Sequence, residues 1–141
     1  MSELPTIPQW PSARMMGAEY LGYDAETQTV EMAFTLPPEF AAMRGTVQGG
    51  LLAGPFDEAF GAALYMATGG KLQLTLDLNL SLLRPVPLER FTIKARAAKA
   101  GRRVCFLDAD LFDVNGKLAA RCTATSMVTD WPQAKGAEAE G

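Results

Sequence analysis

The sequence predicts an α+β domain, in which one curved antiparallel β-sheet wraps around a single central helix, and three observations predict it. Leucine occupies positions 72, 74, 76, 78, 80 and 82 of KLQLTLDLNLSL, with Gln73, Thr75, Asp77, Asn79 and Ser81 alternating between them, a strict period of two. One stretch, from about Leu51 or Pro55 to Ala67, carries Phe56, Phe60, Ala63, Leu64 and Ala67 at helical spacing. Six strand-like runs flank that helix in the order β-β-α-β-β-β-β, and the last four follow one another through short links, as in a meander covered by one helix.

The elements follow in order. EYLGYD and TVEMAFTL are strand-like runs separated by the polar segment Ala25–Gln28, a hairpin signal, and Pro37-Pro38 stops the second run. Residues 39–46 read as irregular. Pro55 is comfortable at the first position of a helix, where its missing N–H has no partner to lose, and Thr68-Gly69-Gly70 ends that helix. The leucine strand should lay its apolar face on the helix until Leu83-Arg84-Pro85 breaks the alternation. Three strands remain, at about 90–98, 103–112 and 117–128. The last two are joined by Asp113-Val114-Asn115-Gly116, where Asn-Gly supplies the positive φ angles of a tight turn. Residues 1–12, with Pro5, Pro8 and Pro11, read as an extended arm; 13–129 form a single domain; 130–141 form a flexible polar tail.

Composition narrows the function. A chain of 141 residues, 48% apolar and 21% charged, is an ordinary globular domain able to bury roughly two thirds of its unfolded surface. Its net charge of -3 gives no basic footprint for nucleic acid, with only local basic character around Lys99, Arg102 and Arg103. Cys105 and Cys122 have no metal or redox spacing and read as buried thiols of a reducing compartment, a disulfide being the lesser alternative. The first residues, MSELPTIPQWPSARMM, lack the pattern of a signal peptide, and no run is long enough for a membrane helix, so a cytoplasmic protein is expected. Asp108, Asp110 and Asp113 with Asn115-Gly116 lack the ligand spacing and closing glutamate of a calcium loop, so no metal is expected.

The chemistry concentrates in GTVQGGLLAGPFDEAFGAAL, residues 45–64. Asp57 and Glu58 can be read as first-turn acids favoured by the helix dipole. They can also be read as catalytic, because the Gly49-Gly50 pair leaves backbone N–H groups unobstructed toward a developing oxyanion. Arg84, Arg102 and Arg103 could meet phosphates or be plain surface arginines. The scattered methionines and the aromatic residues Phe56, Phe60 and Tyr65 could line a pocket or fill the core.

The segment resembles the active-site signature of the hotdog-fold thioesterases, in particular the phenylacetate-pathway (PaaI-like) branch. Its pattern is G-x-x-H-G-G followed by an acid nine residues after the histidine, and Gly45, Gln48, Gly49, Gly50, Asp57 and Gly61 fall in it. TLDLNLSLLRPVP at 75–87 and AKAGRRVCFLDADLFDVNGKLAARCTATSM at 98–127 extend the likeness over residues 18–128. The resemblance implies hydrolysis of an acyl-CoA thioester with no separate cofactor, coenzyme A being part of the substrate. It further implies a homodimer or dimer of dimers whose active site is shared, the glycine turn of one subunit facing the acid of its partner. Gly49 would polarise the carbonyl, Asp57 would act as base or nucleophile, and Thr75 falls where relatives hold a hydroxyl near the water. Gly50, Glu58, Arg84, Arg102 and Arg103 would contact substrate. Two departures stand out: Gln48 occupies the histidine position of a chain with no histidine, and Ala42 replaces a common asparagine. Glutamine can donate a hydrogen bond but cannot exchange a proton near neutral pH. A non-catalytic acyl-CoA binder is the alternative.

Overall fold

The computed structural model describes residues 9–131. Strands β1 (Glu19–Asp24) and β2 (Thr29–Phe34) precede helix α2 (Ala53–Ala67), and β3 (Leu72–Leu82), β4 (Phe91–Ala100), β5 (Val104–Phe112) and β6 (Leu118–Thr129) follow it. The expected order is present, with two additions: a short helix α1 (Pro11–Met15) before β1, and three 3₁₀ turns between β2 and α2. The expected arm is described only from Gln9, and its last two residues already belong to α1. The expected tail lies outside the described residues beyond Trp131. Among the described residues no helix is long and apolar enough to cross a membrane.

All six strands form one antiparallel sheet in the order β1-β2-β4-β5-β6-β3. The expected four-strand meander is therefore corrected: β4-β5-β6 is a meander, but β3 leaves it to pair with β6 at the far edge. Helix α2 carries the chain across the sheet from the β2 side, and the link after β3 carries it back to β4 beside β2. Local spacing in the sequence encodes each strand but not which edge it joins.

Helix α2 buries Phe56, Ala59, Phe60, Ala63 and Leu64 completely. Against it the sheet presents Ile93 and Ala95 of β4, Cys105, Leu107 and Leu111 of β5, and Ala120, Cys122 and Ala124 of β6, all buried. Alanines at the middle of the sheet let the helix settle close, and the Phe56 and Phe60 rings stack at 6.4 Å. Both cysteines are free, and burial pushes the Cys122 thiol up to about 11 and the Cys105 thiol upward as well.

Strand β3 departs from the expected alternation. Its pairing with β6 shifts between Thr75 and Asp77, leaving Leu76 as the extra residue of a β-bulge. Before the bulge, Gln73 and Thr75 face the helix while Leu74 is exposed; after it, Leu78 and Leu80 pack on the core. One unpaired residue thus moves the apolar set from one face to the other. The β5–β6 turn is corrected too: Gly116 has φ 78° but Asn115 is not in the left-handed region. Instead the Asp113 carboxylate accepts the N–H groups of Asn115 and Lys117, which closes the loop without the Asn-Gly geometry.

Candidate active site

Helix α2 begins at Ala53, ahead of Pro55, on a 3₁₀ turn spanning Gly49–Leu52. Asp57 and Glu58 consequently lie in its second turn, and the first-turn dipole reading of these acids is corrected. What fixes Asp57 is the sheet. Its Oδ1 accepts a 2.7 Å hydrogen bond from the Thr75 hydroxyl and a 3.2 Å bond from Gln73 Nε2. Gln73 Nε2 also donates to the Asp57 main-chain carbonyl at 2.9 Å, and Gln73 Oε1 accepts from the buried Ser126 hydroxyl of β6 at 2.9 Å. A chain of polar groups therefore links β6, β3 and α2 and ends on one carboxylate oxygen.

Asp57 and Glu58 open into a groove of about 780 Å³ between α2 and the first half of β3. Gly54, Gly61 and Tyr65 of the helix and Leu72 to Thr75 of the strand line it, with Met15, Met16, Phe40 and Leu51 adding apolar wall. Trp10 and Trp131 also line it, their rings 6.0 Å apart, and Trp131 Nε1 donates to the Gly70 carbonyl at 2.7 Å. Burial, reinforced by the Asp57 charge, raises the Glu58 carboxyl above its ordinary value. Of the expected pocket residues, Tyr65, Met15 and Met16 line the groove, whereas Phe56 and Phe60 are core.

The Gln48-Gly49-Gly50 turn is built separately. Val47 N–H donates to the Val86 carbonyl and Gln48 N–H to the Phe40 carbonyl, which ties the loop to the link after β3 and to the first 3₁₀ turn, Pro38–Phe40. Gln48 Oε1 accepts the Leu51 N–H at 3.0 Å, so its carboxamide caps the 3₁₀ turn. Gly49 and Gly50 are the first residues of that turn, and their N–H groups have no acceptor within it. A Cβ at Gly49 would lie 2.6 Å from the Leu82 Cδ1 methyl, so the far end of β3 packs directly on this glycine. Gly50 lines the groove, but Gln48 and Gly49 do not.

Asp57, Thr75, Glu58 and Gly50 are thus brought to one groove within one chain. Arg84, Arg102 and Arg103 are exposed, line no part of it, and make no ion pair among the described residues. Asp108 and Asp110 pair with Arg96 and Arg121, and among the described residues no cluster of three His, Cys, Asp or Glu side chains could hold a metal. Sequence reasoning missed Gln73 and Ser126. Gln73 looked like one of the solvent-facing polar residues of β3, and nothing sets Ser126 apart from the small residues around it.

The family model of the thioesterase superfamily matches residues 44–120. A candidate thioesterase of Ralstonia eutropha related to phenylacetic acid degradation is 34% identical, with a TM-score of 0.79 over 86% of this chain and 92% of the other. A hypothetical thioesterase of Streptococcus pneumoniae, solved with coenzyme A, is 23% identical with a TM-score of 0.70 over 80% of this chain and 86% of that one, a likeness of fold. A candidate esterase of Saccharolobus solfataricus is 28% identical over 83 residues, 59% of this chain; the match spans only 59% of that relative's length.

Proposed function

Because the chain belongs to the thioesterase superfamily, on its phenylacetate-pathway branch, and has the hotdog fold, we propose that it hydrolyses an acyl-CoA thioester at Asp57. The observation that carries this reading is the anchored carboxylate: Asp57 Oδ1 holds two donated hydrogen bonds, while Oδ2 accepts none among the described residues, in an apolar-walled groove. As base, Oδ2 takes a proton from water as the water oxygen attacks the thioester carbon; as nucleophile, it attacks that carbon itself and water then cleaves the anhydride. In either route the C–S bond breaks and the coenzyme A thiolate leaves to be protonated. Charge developing on the carbonyl oxygen is met by the Gly49 N–H at the start of the 3₁₀ turn. Gln48 holds that turn in shape and transfers no proton.

In this reading the enzyme is a homodimer or dimer of dimers, in the cytoplasm, with no separate cofactor. Gly50 and Glu58 contact the acyl part, Thr75 stands beside the attacking oxygen, and Arg84, Arg102 and Arg103 meet the phosphates of coenzyme A. The coenzyme A complex of the Streptococcus pneumoniae relative supports that class of ligand. The test is thiol release from phenylacetyl-CoA and from straight-chain acyl-CoAs of several lengths. Asp57→Asn should lose about a hundredfold or more in kcat while still melting cooperatively; full turnover in that variant would sink the assignment. Gln48 in place of histidine supports a second reading, a non-catalytic acyl-CoA binder. Binding of the same panel by calorimetry with no thiol release would favour it.

A further inference from the structure

We infer that Gln73 and Ser126 form a positioning pair that sets the orientation of the Asp57 carboxylate, a role that rests on the reading of Asp57 as the reacting acid. The Gln73 side chain is committed at both ends. Its Nε2 donates at 2.9 Å to the Asp57 carbonyl and at 3.2 Å to Asp57 Oδ1, and its Oε1 accepts the Ser126 hydroxyl at 2.9 Å. Rotating the amide by half a turn would aim Oε1 at two acceptors on Asp57, so the acid keeps Nε2 toward itself and leaves Oε1 to accept the Ser126 hydroxyl, which anchors the far end of the amide. Ser126 is fully buried and stands opposite Thr75 on the paired strand, so its hydroxyl is kept from solvent and committed to Gln73.

The same contact explains the glycine four residues beyond Asp57. A Cβ at Gly61 would lie 3.2 Å from Gln73 Nε2, tight enough to press the amide away from the carboxylate. Thr75 alone would leave the carboxylate free to turn about its single hydrogen bond. Two donors from different side chains on Oδ1, one of them also holding the Asp57 main chain, fix the plane of the group and turn Oδ2 to the attacking atom. The titratable groups around Asp57 are Glu58 and Tyr65 of α2 and Cys122 of β6; none of them donates a hydrogen bond to it.

A double-mutant cycle on the full chain tests the pair, with thiol release from phenylacetyl-CoA, or from the best acyl-CoA of the panel, as the readout. Gln73→Met keeps the volume and removes both contacts; kcat should fall about tenfold or more with KM within about twofold. Ser126→Ala should lower kcat by less, and Ser126→Ala with Gln73→Met should be no slower than Gln73→Met alone, because the serine acts through the glutamine. Unchanged kcat in Gln73→Met, or multiplicative effects in the double variant, would overturn the pairing. Asp57→Asn separates the two levels. If that variant keeps full turnover, the reading of Asp57 fails and the positioning role with it. If it is inactive while Gln73→Met is not, the positioning role alone fails. In a chain without turnover, the Gln73 side-chain amide resonances decide the matter: Ser126→Ala and Asp57→Ala should each shift them, and signals left in place would overturn the link.

Discussion

Glu58 shares the groove with Asp57, and its titration gives the fold a pH dependence whose sign is fixed. Burial, then the neighbouring Asp57 charge, raises its folded-state carboxyl above the ordinary 4.5. A raised acid holds its proton more tightly folded than unfolded, so below 4.5 it costs nothing, and stability falls as pH rises from there through the folded value. The Glu58→Gln variant is therefore expected to melt roughly a few degrees above the parent chain at pH 7. That gap should close when thermal melts are run below 4.5; an equal gap at both pH values would refute the assignment to Glu58. At this scale the sequence showed the acids but not their surroundings. Asp57 was visible through its distance from Gln48-Gly49-Gly50, whereas Gln73 was not, because a polar residue on an alternating strand has no local mark that it faces a helix. The local preference for a first-turn acid misled for a similar reason: the 3₁₀ turn advances the helix start to Ala53 and moves Asp57 from the first turn into the second.

Among the elements, β3 shows how far a periodic pattern carries. Its period of two identified a strand with boundaries accurate to one residue, but a pattern that never breaks gave no sign of the bulge at Leu76. Without the bulge, Gln73 and Thr75 could reach Asp57 only by turning Asp77 and Asn79 into the core. This predicts two opposite outcomes from deletions of equal size. Removing Leu76 leaves Gln73, Thr75, Leu78 and Leu80 all facing inward in unbroken alternation, so that variant should remain folded and melt cooperatively. Removing Leu78 drives Asp77 toward the apolar core, at a cost of several kcal/mol for an unpaired buried carboxylate, and should abolish the cooperative melt. Circular dichroism melts of both variants check it, and similar behaviour of the two would exclude the bulge as the device that turns the strand.

At the scale of the whole molecule, the proposed roles require Gly49 and Asp57 to meet on one thioester. Within one chain they are separated by the 3₁₀ turn and the first turn of α2, on the order of 13 Å along the axis, too far to bracket one carbonyl. Gly49 packs at Leu82, the end of β3, whereas Asp57 is bonded to Gln73 and Thr75 near its beginning. That strand is the edge of the sheet, eleven residues long, without proline, and exposing Leu74, Leu76 and Leu82. An uncovered apolar edge of this length invites pairing. Two copies meeting antiparallel along β3 about a two-fold axis would bring the Leu82 end of one strand beside the Thr75 end of the other, and with them Gly49 of one protomer to Asp57 of its partner. A shared site of this kind makes a sharp prediction. Asp57→Asn and Gly49→Pro, the latter deleting the N–H donor, should each be inactive alone. Refolded together in equal amounts, half of the dimers carry one of each, and each of these has one intact site of two, so about a quarter of the parent turnover should return. Sites built within single chains would return none, and thiol release from the mixture decides between the two arrangements.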